Sequence, residues 1–316
     1  MGLNGLLDIE LSVPDPTELA DFWERRGMLR TDDGVLGTDD RPVQLRFASA
    51  DYRHLSEIHL SCEAERDLTD IVRRLDDLGI DSRVDDTTLT CTDPVHGHRV
   101  VVDVGGQAAL TSRPSSTRNE PGIAARVNER AAVRDAPPPV PRRFGHIVLG
   151  SPDVKKSTAF YFDGLGFKIS DQVKQGSATF GRVETDHHNL LLIPGPTGYL
   201  NHYAVEVDDI DAVGLAARAV LAEHPDASIF GVGRHFLGSN VYWYMRDPSG
   251  AMFEFFCDMD QIVDDEAWER DSARYDWGGA DGPFPVSVWG PPTPPEFNVP
   301  TDINMIAAAR EARNLA

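Results

Sequence analysis

Three positions in the C-terminal half carry side chains of the kind that hold first-row divalent metals: His146 in GHIVLG, His202 in NHYAVEV and Glu254 in AMFEFF. Each lies in a segment that reads as a β-strand. Two neutral imidazoles and one carboxylate form a facial triad, which leaves neighbouring positions open on an octahedral ion. Glu254 is the most informative of the three. It sits among Met, Phe and Cys, where an unpaired buried carboxylate costs on the order of several kcal/mol. A divalent cation beside it removes that cost.

The elements that position these residues come from an internal repeat. GHIVLGSPDVKKSTAFYF (145–162) and LDIELSVPDPTELADFWE (7–24) both read as strand, Pro-Asp turn, helix. Aligning Asp153 with Asp15 also aligns Phe160 with Phe22 and Tyr161 with Trp23. Gly166 and Gly27 then mark helix ends, one residue out of step. NHYAVEVDDIDAVGLAARAVL (201–221) and SEIHLSCEAERDLTDIVRRL (56–75) form a second strand–helix pair, each followed by a turn and a strand. The chain reads as four βαβββ modules making two similar domains of α+β class, each a curved mixed sheet flanked by helices. The expected divisions are 1–106, a Pro- and Ser-rich linker at 107–142, 143–262, and a tail at 263–316. The pattern leaves room for a short helix at IAARVNERAAV, and DDEAWERDSARYDW reads as a short helix or a loop. Trp289 in VSVWGPP suggests a tail docked on the body.

The repeat also supplies a control. The first-half counterparts of the triad, by this alignment, are Asp8, Ile58 and Val101. Two of the three are apolar, so the fold does not itself demand polar groups there, and a metal is expected in the C-terminal half alone.

Other polar groups converge on the same region. In DHHNLLLIP, alternation places His188, Leu190 and Leu192 on one face, taken as inward, and turns His187 outward to a structural or solvated role. Tyr244 faces Glu254 if the hairpin between Arg246 and Met252 has a five-residue loop; a four-residue loop would present Trp243 instead. His235 lies upstream. His96 and His98 in PVHGHR read as surface residues. Trp243, Phe236, Leu237 and Trp289 are candidates for an aromatic pocket, with ordinary core as an equal alternative, and Arg246 is a candidate for a contact with a substrate carboxylate, though a salt bridge in the hairpin turn is the better explanation.

Composition bounds the classes. The 316 residues are 41% hydrophobic and 26% charged, with formal net charge −21. That charge argues against nucleic acid or an anionic membrane surface as the main partner. No apolar run approaches the ~18 residues of a membrane span. Three sparse cysteines (Cys62, Cys91, Cys257) suit a reducing, cytoplasmic setting. A homo-oligomer is the expected assembly.

The segments GHIVLGSPD, DHHNLLLIP, NHYAVEV and GRHFLGSNVYWYMRDPSGAMFEFFCDMD, in that order and spacing, resemble the type I extradiol ring-cleavage dioxygenases of the vicinal oxygen chelate superfamily. The resemblance covers about 142–262 closely and the first half through the repeat. It implies that His146, His202 and Glu254 are ligands of a non-haem Fe(II), or of Mn(II), which shares the donor preference. It also implies that His188 is the acid–base histidine, and that His235 and Tyr244 hydrogen-bond the bound species. The implied reaction inserts both atoms of O2 beside a catechol, giving a ring-opened semialdehyde or keto acid in aromatic catabolism. A glyoxalase- or epimerase-type enzyme of the same superfamily and a protein that only binds an aromatic ligand remain the alternatives.

Overall fold

In a computed structural model of the chain, residues 2–32, 34–106, 109–113, 117–173, 177–275 and 286–315 are described. Parts of the expected linker (107, 108, 114–116) and tail (276–285) lie outside them.

The first sheet contains β1 (Leu3–Val13), β2 (Leu29–Asp32), β3 (Val35–Gly37), β4 (Leu45–Ser49), β5 (His54–Cys62), β6 (Ser82–Asp85), β7 (Thr88–Thr92) and β8 (Arg99–Val104), in the order β2-β3-β4-β1-β5-β8-β7-β6. The second repeats that order with β9 (Arg143–Ser151), β10 (Lys168–Val173), β11 (Ala178–Arg182), β12 (Leu190–Pro194), β13 (Tyr199–Glu206), β14 (Ser228–His235), β15 (Val241–Arg246) and β16 (Met252–Cys257), and adds β17 (Ser287–Trp289) at the edge beside β14. In both sheets the first strand pairs parallel with one neighbour and antiparallel with the other, so both are mixed. The main helices are α1 (Pro16–Glu24), α2 (Glu65–Asp77), α3 (Val154–Thr158), α4 (Ile210–Glu223), α5 (Asp265–Ser272), α6 (Pro295–Asn298) and α7 (Ile303–Glu311). Among the described residues no helix is long and apolar enough to cross a membrane.

The Pro-Asp signal works through capping. Asp15 accepts from the Glu18 amide at 2.9 Å and Asp153 from the Lys156 amide at 2.9 Å, with closely matching backbone angles. Gly27 and Gly166 both take positive φ, +86° and +93°. The one-residue offset between them also has a cause. The helix begun by α3 continues as a π-turn over Ala159–Leu165, and such a turn absorbs one extra residue.

One buried apolar cluster runs through both halves. Phe22 and Trp23 on α1 meet Phe253 of the other half edge-on, at ring-centroid distances of 5.6 and 5.1 Å. Trp23 Nε1 donates to Tyr203 Oη at 3.1 Å, and Tyr203 donates to Asp247 at 2.7 Å. In return, Arg74 at the end of α2 donates to the carbonyls of Gly164 and Leu165. Trp23→Ala is therefore expected to cost about 3–5 kcal/mol, seen as a lower denaturation midpoint at unchanged m-value. A loss under about 1 kcal/mol would show that the halves do not depend on this contact.

Three expectations change here. His96 and His98 are buried, not surface. His96 contacts Asp93 Oδ2 at 3.0 Å and the Gly150 carbonyl at 3.1 Å, and His98 Nε2 lies 2.8 Å from Tyr161 Oη. Their partners lie up to 63 residues away, so the turn they occupy is covered only when the second half docks. Within IAARVNERAAV, only the single 3-10 turn Ala132–Asp135 begins; Ile123 and Val127 are exposed and offer no apolar face to dock a helix. Trp289 is 43% exposed. The tail docks instead by backbone pairing of β17 with β14 and by Ile306 and Arg310, which are buried.

Candidate metal centre

The second sheet brings three of the singled-out side chains together. Neighbouring strands β9, β13 and β16 place His146 and Glu254 on either side of Ala204, which is directly opposite both. His202 precedes Ala204 by two residues and so shares its face. Ala204 offers only a methyl group between them. The ligand-type atoms of His146, His202 and Glu254 lie within 4.8 Å of one another, and all three side chains are buried. His146 Nε2 is 3.0 Å from Glu254 Oε2, and His202 Nε2 is 3.5 Å from it.

The surroundings fit a cation. Asn201 Oδ1 lies 2.7 Å from His202 Nδ1, which fixes that nitrogen as the donor and leaves Nε2 a lone pair. His202 Nε2 is buried with no hydrogen-bond partner. Asn240 donates to Glu254 Oε1 at 2.9 Å, which leaves Oε2 facing the imidazoles. Burial opposes ionisation of Glu254, but His146, His202 and His235 outweigh it and hold the carboxyl well below its usual range. Burial brings His202 down to about 4 against the pull of Glu254, so the imidazole is neutral, as a ligand must be.

Beside this group lies a cavity of about 180 Å³ walled by Val148, Phe180, Leu191, Ile193, Leu237 and Phe297, with His188, His235, Tyr244 and Asn201 as polar points. No Lys, Arg, Asp or Glu lines it among the described residues. The hairpin uses its five-residue register: Tyr244 stands opposite Glu254. Tyr244 Oη is 2.7 Å from His235 Nε2, and His235 Nδ1 donates to the Val286 carbonyl at 3.0 Å. Tyr244 therefore supplies the proton of the shared hydrogen bond.

His188 lines the cavity, its ring 4.4 Å from that of His146. The strand alternation used to place it fails, however. Leu190 and Leu192 belong to the main core, whereas Leu191 and Ile193 share the cavity with His188. β12 begins only at Leu190, and the Asn189 side chain bonds the Val183 amide and the Gly145 carbonyl, which interrupts the pleat. His187 is fully buried rather than outward. Its Nε2 is 2.8 Å from Asp171 and its Nδ1 is 3.0 Å from His188 Nδ1. With Asp171 accepting from His187 Nε2–H, His187 Nδ1 accepts from His188 Nδ1–H, and His188 Nε2 is left as a base.

Of the four aromatic-pocket candidates only Leu237 lines the cavity. Trp243 points to the opposite face, where its Nε1 bonds Ser228. Phe180 and Phe297 take the aromatic role instead. Sequence reasoning also missed Asn201, Asn240 and Asp171; the first adjoins His202 in the sequence, but nothing in pattern or spacing marks the other two.

The repeat control needs correction as well. The β1–β5–β8 registers, bulges included, match β9–β13–β16 and put Glu57, not Ile58, at the place of His202. Only Val101 of the three counterparts is apolar. The corresponding face of the first sheet is charged: Arg46 reaches Asp8 at 2.7 Å, Glu10 at 3.2 Å and Glu57 at 2.6 Å, and His59 bridges Asp8 and Asp103. A guanidinium supplies there the positive charge those carboxylates require.

Residues 143–255 match the model of the Glyoxalase/Bleomycin resistance protein/Dioxygenase superfamily. Metapyrocatechase 2 of Cupriavidus necator is 30% identical over 284 residues, 85% of this chain and 87% of its own length. An iron-dependent extradiol dioxygenase of Rhodococcus jostii is 32% identical over 161 residues, 46% of this chain and 49% of its own. The homoprotocatechuate 2,3-dioxygenase structure from Brevibacterium fuscum superimposes with a TM-score of 0.72 at 18% identity, covering 94% of this chain and 91% of that one. The fold is that of the two-domain vicinal oxygen chelate enzymes. The chain belongs to the extradiol dioxygenases of that superfamily.

Proposed function

We infer that the chain opens a catechol ring beside its two hydroxyls, inserting both atoms of O2, at an iron held by His146, His202 and Glu254. The observation that carries this reading is the convergence of a buried, partnerless His202 Nε2 and an ionised Glu254 on one point at the end of an apolar cavity. When bound, Fe(II), or Mn(II) in its place, lowers the pKa of the catechol hydroxyls and brings dioxygen within reach of the ring. The protein's own residues do the rest. Phe180, Leu191 and Phe297 enclose the ring and exclude water. His188 takes a catechol proton at Nε2 and returns it later in turnover. Tyr244, whose Oη–H is given to His235, offers the lone pairs of Oη as a hydrogen-bond acceptor toward the cavity. The first half binds no metal, because Arg46 already meets its carboxylates.

The cavity wall also selects substrate. A catechol with an uncharged alkyl or aryl substituent leaves no charge unpaired. One bearing a carboxylate would bury it against apolar groups at a cost on the order of 3 kcal/mol. The expected kcat/KM for 3-methylcatechol therefore exceeds that for 3,4-dihydroxyphenylacetate by about 100-fold or more. The assay is anaerobic loading with Fe(II), addition of each catechol, then air, following the yellow ring-opened product. Equal rates with both would reject the specificity, and no yellow product from any catechol would reject the activity.

A further inference from the structure

Residues of the tail close one side of the catalytic cavity. Val286 precedes β17, Phe297 and Asn298 lie at the end of α6, and all three line it. The Phe297 ring packs edge-on against Tyr244 at 4.9 Å and lies 5.2 Å from the ring of Phe230. Backbone carbonyls of the same segments reach the polar groups of the site. The Val286 carbonyl accepts from His235 Nδ1 at 3.0 Å. The Phe297 carbonyl accepts from Asn201 Nδ2 at 2.8 Å, and the Asn298 carbonyl lies 3.4 Å from the same nitrogen.

Asn201 owes its place to a bulge. Leu200 pairs with Leu149 and His202 with Val148, so Asn201 is the extra residue of β13, and it lines the same cavity as His202 instead of alternating to the other face. The first half has an equivalent bulge at Ser56 in β5, but there the hydroxyl bonds back to the Glu10 carbonyl at 3.0 Å and to its carboxylate at 2.8 Å. In the second half the extra residue faces the tail.

An amide side chain has one accepting end and one donating end. A backbone carbonyl only accepts, so the Phe297 carbonyl fixes Nδ2 of Asn201 toward the tail and Oδ1 toward His202 Nδ1, at 2.7 Å. Oδ1 in turn keeps the proton of His202 on Nδ1 and leaves Nε2 as a metal donor. With the tail undocked, the amide is free to turn over. Its NH2 group then faces Nδ1, favours the tautomer protonated at Nε2, and takes His202 out of the donor set.

We propose that Asn201 is a positioning residue that couples docking of the tail to metal binding, so that each favours the other by the same factor. The inference rests on the reading of His202 as a metal ligand.

The test uses the full chain with Mn(II). Electron paramagnetic resonance of the free ion gives the affinity, and chymotryptic cleavage after Phe297, located by mass spectrometry, reports how often the tail is open. In the wild type, saturating Mn(II) is expected to slow that cut by about tenfold or more. Asn201→Leu removes both bonds and should weaken Mn(II) binding by about 10–100-fold. Asn201→Asp keeps an acceptor for His202 Nδ1–H but sets a carboxylate against the Phe297 carbonyl. It should bind Mn(II) close to wild type and yet lose the protection at saturating metal. A metal that merely stiffened the whole fold would protect Asn201→Asp as well. The coupling is overturned if Mn(II) leaves the wild-type cut unchanged, if Asn201→Leu binds Mn(II) as tightly as wild type, or if Asn201→Asp keeps the full protection. Should Asn201→Leu not fold, Asn201→Asp decides. A wild type that binds no Mn(II) at all rejects the metal reading itself, and the coupling falls with it.

Discussion

Replacing His146 by alanine is expected to leave a folded protein without its metal. Elemental analysis should fall from one ion per chain to below about a tenth, and ring opening should drop by more than the 10–100-fold typical of losing a group that merely supports a ligand. The size of the effect follows from the donor set. Three donors are the minimum that holds an ion with open positions, and His146 Nε2 is the imidazole atom nearest Glu254, at 3.0 Å. Its loss leaves Glu254 with His202 at 3.5 Å and the Asn240 amide as its main partners, too few to dehydrate a divalent cation. The fold should persist, because the apolar cluster that joins the halves does not include His146. Circular dichroism and the denaturation midpoint separate loss of metal from loss of fold. Full metal content with unchanged turnover in His146→Ala would remove this residue from the centre.

What the sequence made legible divides along the range of the interactions. Asp15 and Asp153 act on amides three residues ahead, so a Pro-Asp followed by a helical pattern was readable directly. The triad was readable because a carboxylate inside MFEFFC contradicts its neighbours. The register of Tyr244 against Glu254 depended on one loop length, and the sequence left two choices open. Asp171, Asn240 and the burial of His96, His98 and His187 depend on segments brought together only by tertiary folding. His96 meets Gly150 from the other half, and His187 meets Asp171 across the β10–β11 hairpin. The His202 counterpart was set one residue too far along: matching Asn201 to Ser56 residue for residue gives Glu57, and the equivalent registers of β5 and β13 agree. That slip concealed the charged face around Arg46. The control was therefore weaker than it looked, and the case for a single metal rests on Arg46 filling the first site with charge rather than on the site being apolar.

Replacing His188 by phenylalanine or glutamine is expected to separate binding from turnover. His188 lines the cavity beside His146 but is not within the three-residue cluster, and its Nδ1 is engaged with His187. Burial first, and then the neighbouring imidazoles of His146 and His187, hold it well below the ordinary histidine pKa, so the ring is neutral and Nε2 can accept a proton. Without it, metal content and anaerobic affinity for a catechol should stay close to wild type. Turnover should fall by about 10²–10⁴-fold, the usual contribution of a positioned proton-transfer group. Glutamine retains polarity but cannot carry the proton through, so it should lie nearer phenylalanine than wild type, and that ordering separates proton transfer from a simple hydrogen bond. Asp171→Asn is expected to act in the same direction with a smaller effect. It weakens the bond that orients His187, and through it the Nδ1–H tautomer of His188, while every group that touches substrate stays in place. Metal lost from His188→Phe would make His188 a ligand. Full turnover with full metal would make it part of the wall and nothing more.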